Sequence, residues 1–120
     1  MADQYGLFID GKWISTSDTV TNRNPSDVND VIGEYAQANA DQVSMALEAA
    51  SRAVAEWGVS PMESRYQVLM AIGNELIERS GELGELLARE EGKTRAEGVG
   101  EVYRSGQFFH YFAAEVHRQI

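Results

Sequence analysis

Residues 31–58 read VIGEYAQANADQVSMALEAASRAVAEWG, and the period of the sequence changes inside them. Val31-Ile32-Gly33-Glu34-Tyr35-Ala36 is a short β-branched and aromatic run, which predicts a strand. From Val43 onward the apolar residues Val43, Leu47, Ala50, Val54 and Trp57 recur at spacings of three and four, the face of one helix. Between the two lies Asn39, with Gln42 three residues on, a capping box that opens a helix. Gly58 marks its end. The chain is therefore expected to be extended over residues 1–37 and helical over 38–120, an α+β arrangement.

Toward the N-terminus, Leu7-Phe8-Ile9 and Lys12-Trp13-Ile14 flank Asp10-Gly11. A two-residue Asp-Gly loop suits a type I′ turn, because both central positions need positive φ. A β-hairpin is expected there. Thr19-Val20-Thr21-Asn22-Arg23 predicts another strand, and Asn24-Pro25-Ser26-Asp27 a turn. These strands need a partner surface, since an isolated pair is marginal in water.

Toward the C-terminus, Ser60-Pro61-Met62-Glu63 predicts a second helix start, with Ser60 as the cap. Tyr66, Leu69, Leu76 and either Ile72 or Ile77 form its expected buried stripe. Ser80-Gly81 breaks the pattern, Leu83, Leu86 and Leu87 resume it, and Gly92 stops it. A last helix is expected from about Ala96 to His117, with Val99, Val102, Tyr103, Gly106, Phe109, Phe112 and Val116 on one side. Gly98, Gly100 and Gly106 weaken that helix by about 1 kcal/mol each relative to Ala, and such residues usually mark close backbone packing. Trp13 and Trp57 read as core aromatics. The chain ends without a Gly or Pro stop, which suggests truncation.

Composition narrows the function. At 43% hydrophobic and 24% charged, the 120 residues read as a soluble globular chain. A formal charge of -9 argues against nucleic-acid partners and anionic membrane surfaces. The sequence has no cysteine, which excludes disulfides, thiolate metal sites and a cysteine nucleophile within it. Neither a signal peptide nor an apolar run of membrane-spanning length is visible, so a cytoplasmic location is expected.

No self-sufficient catalytic constellation emerges. Gly92-Lys93-Thr94 looks like the tail of a phosphate loop, but position 87 is Leu where that loop needs Gly, and a helix precedes it instead of a strand. Gly98-x-Gly100 is followed by Gly106, which breaks the dinucleotide fingerprint. The acidic residues Glu90, Glu91, Glu97 and Glu101 read as solvated helix faces. His110 and His117 are seven apart, too wide for a joint metal site.

The ordered segments nevertheless resemble one family. Leu7-Phe8-Ile9-Asp10-Gly11-Lys12-Trp13, then Asn24-Pro25 with Val31-Ile32-Gly33, then Ala46, Ala49, Ala50, Ala53, Trp57 and Arg65, are similar to the opening of NAD(P)-dependent aldehyde dehydrogenases. Glu90-Glu91-Gly92-Lys93 and Gly100-Glu101-Val102 followed by Phe108 to Ala114 continue the resemblance. The match is best with semialdehyde dehydrogenases, especially those acting on α-ketoglutaric semialdehyde. The resemblance implies that residues 1–120 form the N-terminal portion of a larger α/β enzyme. The hairpin and short strands, with three to four helices, would be one part of it, and the nucleotide-binding core and the catalytic domain would lie outside. It implies NAD or NADP as cofactor, a small-molecule aldehyde as substrate, the remainder of the chain as partner, and a homo-oligomer, dimer or tetramer. It implies no catalytic residue in this stretch and no activity for the stretch alone.

Two sites follow from the resemblance. Arg104 falls where related enzymes line the substrate tunnel, and a guanidinium there could take the distal carboxylate of an acidic semialdehyde. The plainer reading is a surface arginine paired with Glu101 or Glu97. Glu90, with the backbone carbonyls of Asn22 and Arg23, falls where some family members hold a monovalent cation. The alternative to an enzyme segment is a stand-alone interaction module or degenerate partner subunit without catalysis.

Overall fold

The computed structural model describes residues 4–118, in two compact units, Met1–Val59 and Ser60–Ile120. The first unit runs β1 (Gln4–Tyr5), β2 (Leu7–Ile9), β3 (Lys12–Ile14), β4 (Thr19–Asn24), β5 (Asp27–Ala36) and α1 (Ala40–Trp57). β2 and β3 pair antiparallel as Leu7 with Ile14, Phe8 with Trp13 and Ile9 with Lys12. Asp10 at φ 53° and Gly11 at φ 74° supply the two left-handed residues that the type I′ turn requires. β5 lies between β4, antiparallel, and β1, parallel, in a second sheet.

β5 begins at Asp27, four residues before the expected Val31. The reason is the turn: Pro25 and Ser26 are its two central residues, and Asn24 pairs directly with Asp27. The Asn24 side chain accepts the Ser26 N–H at 2.9 Å, so the polar run Asp27–Asp30 continues straight into the ladder. Val31 pairs with Arg23 across an irregularity that shifts the register on both sides of Arg23.

α1 starts as expected. The Asn39 side chain accepts the Gln42 N–H and the Gln42 side chain accepts the Asn39 N–H, both at 2.9 Å. Gly58 ends it in a right-handed conformation, φ -59°, and not in the left-handed cap expected of a terminal glycine. The predicted apolar face forms but is not covered: Val43, Leu47, Val54 and Trp57 are all exposed. Trp13 is also exposed, at 72%, and tilts against Phe8 with ring centroids 4.9 Å apart. The expectation that both tryptophans are core residues is corrected by their exposure. Sequence periodicity fixes a face, not what covers it. Ile9 and Ile32 are the buried hydrophobic residues of this unit among those described.

The second unit is helical: α2 (Met62–Glu78), α3 (Ser80–Glu91) and α4 (Arg95–Val116). α2 opens after Pro61 with no side-chain cap. Ser60, the expected cap, instead accepts the Arg65 Nε–H at 3.0 Å. The expected break lies at Arg79, whose guanidinium joins Glu75 on α2 and Glu82 on α3 at 2.9 and 2.8 Å. α2 and α3 both pack on α4, and glycines set the approach. A Cβ at Gly106 would stand 2.8 Å from the Gly73 carbonyl oxygen and 2.6 Å from Ile77 Cγ1. A Cβ at Gly98 would overlap the Gly84 carbonyl oxygen, but one at Gly100 would meet nothing within 4 Å. The core is therefore a seam of Gly73, Gly84, Ala88, Gly98, Val102, Gly106 and Ala113. Of the two alternatives for the α2 stripe, Ile77 faces this seam and Ile72 is exposed.

Candidate functional site

The α3–α4 junction organises the second unit's polar chemistry. Gly92, at φ 70°, ends α3 in the left-handed region. Thr94 then caps α4: its hydroxyl donates to Glu97 Oε2 at 2.7 Å, its N–H donates to the same oxygen at 3.0 Å, and the Glu97 N–H returns to the hydroxyl. These bonds from Thr94 hold the Glu97 carboxyl below the usual carboxylate range. Lys93 is gripped between Glu91 and both oxygens of Glu101, the latter at 2.7 and 2.8 Å. Glu101 first and Glu91 second raise the Lys93 ammonium above its ordinary value. An ammonium already held by two carboxylates, after a helix and not a strand, is a junction clamp and not a phosphate cradle.

α4 presents two different sides. One is the glycine seam. The opposite side carries Arg104, Gln107, Phe108, Tyr111 and Phe112, which line an open, largely apolar groove of about 400 Å³. Phe108, Tyr111 and Phe112 are each more than half exposed. Tyr103 and Phe112 were expected on the buried side and both are exposed. The signal was in the sequence: aromatics at 108, 109, 111 and 112 cannot all share one helical stripe.

Arg104 sits at one end of this groove. Its Nη1 donates to Gln107 Oε1 at 3.0 Å, and its guanidinium carbon lies 5.3 Å from the centre of the Phe108 ring. It forms no ion pair among the described residues. The carboxylates that a surface reading assigned to it are committed elsewhere, Glu97 to the cap and Glu101 to Lys93. By contrast Arg52, Arg79, Arg95 and Arg118 each reach a carboxylate. A guanidinium with unused donors beside an apolar wall can bind a carboxylate attached to a short carbon chain.

The other expected site residues are divided between the two units. Asn22 and Arg23 are on β4 of the first unit, where the ladder is irregular. The Arg23 side chain crosses to the Val28 carbonyl at 3.1 Å. Glu90 is half-buried near the end of α3 in the second unit. Among the described residues no group of three or more His, Asp or Glu is arranged to hold a metal. His110 donates from Nε2 to Asn74 Oδ1 at 2.9 Å, and His117 lies against the Tyr66 ring, so both serve the α2–α4 contact. No described helix is long and apolar enough to cross a membrane.

Comparison with known proteins places this arrangement. The sequence pattern of the aldehyde dehydrogenase family matches residues 13–120. An alpha-ketoglutarate semialdehyde dehydrogenase of Haloferax volcanii is 35% identical over 96% of this chain and 24% of its own length. An alpha-ketoglutaric semialdehyde dehydrogenase of Bacillus subtilis is 34% identical over 92% of this chain and 23% of its own length. A 1-pyrroline-5-carboxylate dehydrogenase from Thermus, solved with NAD bound, superposes with a TM-score of 0.85 at 32% identity, over 94% of this chain and 22% of that one. The chain thus spans about a quarter of the length of the curated relatives it matches. On this match over residues 13–120, the chain belongs to the aldehyde dehydrogenase family.

Proposed function

We propose that these residues are the N-terminal portion of an NAD(P)-dependent aldehyde dehydrogenase that oxidises a semialdehyde, such as α-ketoglutaric semialdehyde, to the carboxylate. The observation that carries the reading is the conjunction of a match over residues 13–120 with coverage of only 24% of the relative's length. The absence of cysteine supports it, because the family's thiohemiacetal chemistry needs a thiolate that these residues do not supply. NAD or NADP, when bound, accepts the hydride. The residues here do not fit that nucleotide: the Gly92–Thr94 turn follows a helix, and Lys93 is clamped by Glu91 and Glu101. Its binding therefore falls to other parts of the enzyme.

This stretch contributes a rigid α4 and, on its outer side, the substrate end of the groove. Arg104 binds the distal carboxylate of the semialdehyde, while Phe108, Tyr111 and Phe112 contact its carbon chain. For the family's monovalent cation, the candidate main-chain ligands are the Asn22 and Arg23 carbonyls, which stand where the β4–β5 ladder is irregular. The test is turnover. The product of the longer reading frame should reduce NAD or NADP with α-ketoglutaric semialdehyde, and the purified 120-residue chain should not. Aldehyde-dependent NAD(P)H production by the 120-residue chain would refute the assignment.

A further inference from the structure

We propose that Gln107 is a positioning residue that holds Arg104 while leaving its charge available to an anionic group in the groove. The proposal rests on the substrate role given to Arg104 above, and it concerns what keeps that arginine free.

The chain contains its own control. Arg79 has Glu82 three residues on, and Arg118 has Glu115 three residues back. Both form ion pairs, at 2.8 and 2.6 Å. Arg104 has Gln107 three residues on, and the amide oxygen accepts from it at 3.0 Å. The spacing is that of the Arg79 pair, but a neutral amide oxygen on Nη1 alone stands where Glu82 takes Arg79 through both Nε and Nη2. At Arg79 the carboxylates of Glu82 and then Glu75 saturate the guanidinium and hold its proton more tightly. At Arg104 the amide fixes the rotamer and neutralises nothing.

The flank on the other side is also kept clear. Glu101 stands three residues before Arg104, within reach along α4. Both of its oxygens are instead occupied by the Lys93 ammonium, at 2.7 and 2.8 Å. Below, the Phe108 ring supports the face of the guanidinium and leaves its hydrogen-bonding edge open. The Arg104 Nε and Nη2 have no protein partner among the described residues, and that edge is the one that takes a carboxylate through two parallel bonds. The groove beside it is walled by aromatic carbon. A Glu at 107 would occupy the cation that the groove presents. Gln107 and the Lys93–Glu101 clamp are thus two parts of one device that spares the Arg104 charge.

The test is made in the full-length enzyme that carries this stretch, with two probes: α-ketoglutaric semialdehyde, and pentanal as a neutral aldehyde of equal length. Gln107→Glu is expected to raise the ratio of the two KM values, acidic over neutral, by about tenfold, the scale of one charge-assisted hydrogen bond. Lys93→Met, which releases Glu101, is expected to raise the same ratio, and adding Glu101→Gln to it to restore the ratio. A structural disturbance would not be rescued in that way. Should Arg104→Ala shift the ratio while Gln107→Glu does not, the role of Gln107 is overturned and that of Arg104 stands. Should Gln107→Glu raise both KM values equally, the role is likewise overturned. Should Arg104→Ala itself leave the ratio unchanged, the substrate role fails and this proposal fails with it.

Discussion

Gly106→Ala and Gly100→Ala make the same chemical change on α4 and should have opposite effects. Each replacement removes the intrinsic penalty of glycine in a helix, a gain of about 1 kcal/mol. At Gly100 nothing lies within 4 Å of the new carbon, so the gain stands. At Gly106 the new carbon would lie 2.8 Å from the Gly73 carbonyl oxygen and 2.6 Å from Ile77 Cγ1. Ile77 can change rotamer, but a main-chain carbonyl in mid-helix cannot move alone. α2 must therefore retreat from α4 by roughly half an ångström, a gap that forfeits a quarter or more of each contact along the seam. Overpacking of this kind costs about 1–3 kcal/mol. The net effect at Gly106 is thus a loss of up to about 2 kcal/mol, and the two variants should differ by the overpacking cost itself, about 1–3 kcal/mol. Amide hydrogen exchange of peptides from α2 and α4 reads this locally, whatever else the protein contains. Gly106→Ala should speed exchange there by about tenfold, and Gly100→Ala should slow it. If the two variants shift exchange in the same direction, the glycine seam is not what sets the helix spacing.

Two further outcomes follow from the polar contacts. Arg79 holds Glu82, and Thr94 holds Glu97, below the ordinary carboxylate value of 4.5. Folded values below the unfolded one mean that this stability is complete above about pH 4.5 and is lost as pH falls through the folded values. Hydrogen exchange of α3 and α4, corrected for its intrinsic pH dependence, should lose protection as pH falls below about 4.5, and less so in Glu82→Gln; protection independent of pH would refute this. Asn39→Ala removes one half of the α1 capping box and should cost that helix about 1 kcal/mol, read as faster exchange in the first turn of α1. Unchanged exchange there would show that the cap is redundant.

Features written in neighbouring residues were legible in the sequence. The Asp10-Gly11 turn, the Asn39–Gln42 box, the break near Ser80 and the stop at Gly92 each depend on side chains or φ preferences within a few positions. Features that depend on what stands opposite were not. The α1 stripe is real but uncovered, and Trp57 with it is half-exposed. Ser60 had the right spacing to cap α2, but Arg65 took its hydroxyl. The candidate groove was half legible. Arg104 came from resemblance, whereas its isolation from Glu101 depends on Lys93, eight residues from Glu101 and brought to it by a left-handed glycine. No periodicity argument reaches across such a turn.

The two sides of α4 also share a clock. Val102, Gly106 and Ala113 keep time with the helices behind, and Arg104, Phe108 and Tyr111 follow half a revolution later. Each residue advances the hand by about 100°, so one residue inserted between Val102 and Arg104 would swing the whole aromatic row toward a flank and carry Gly106 and Ala113 off the seam with it. Seven would bring the hand nearly round again, but about 10 Å further along the axis. The interval from Val102 to Arg104 therefore cannot change length.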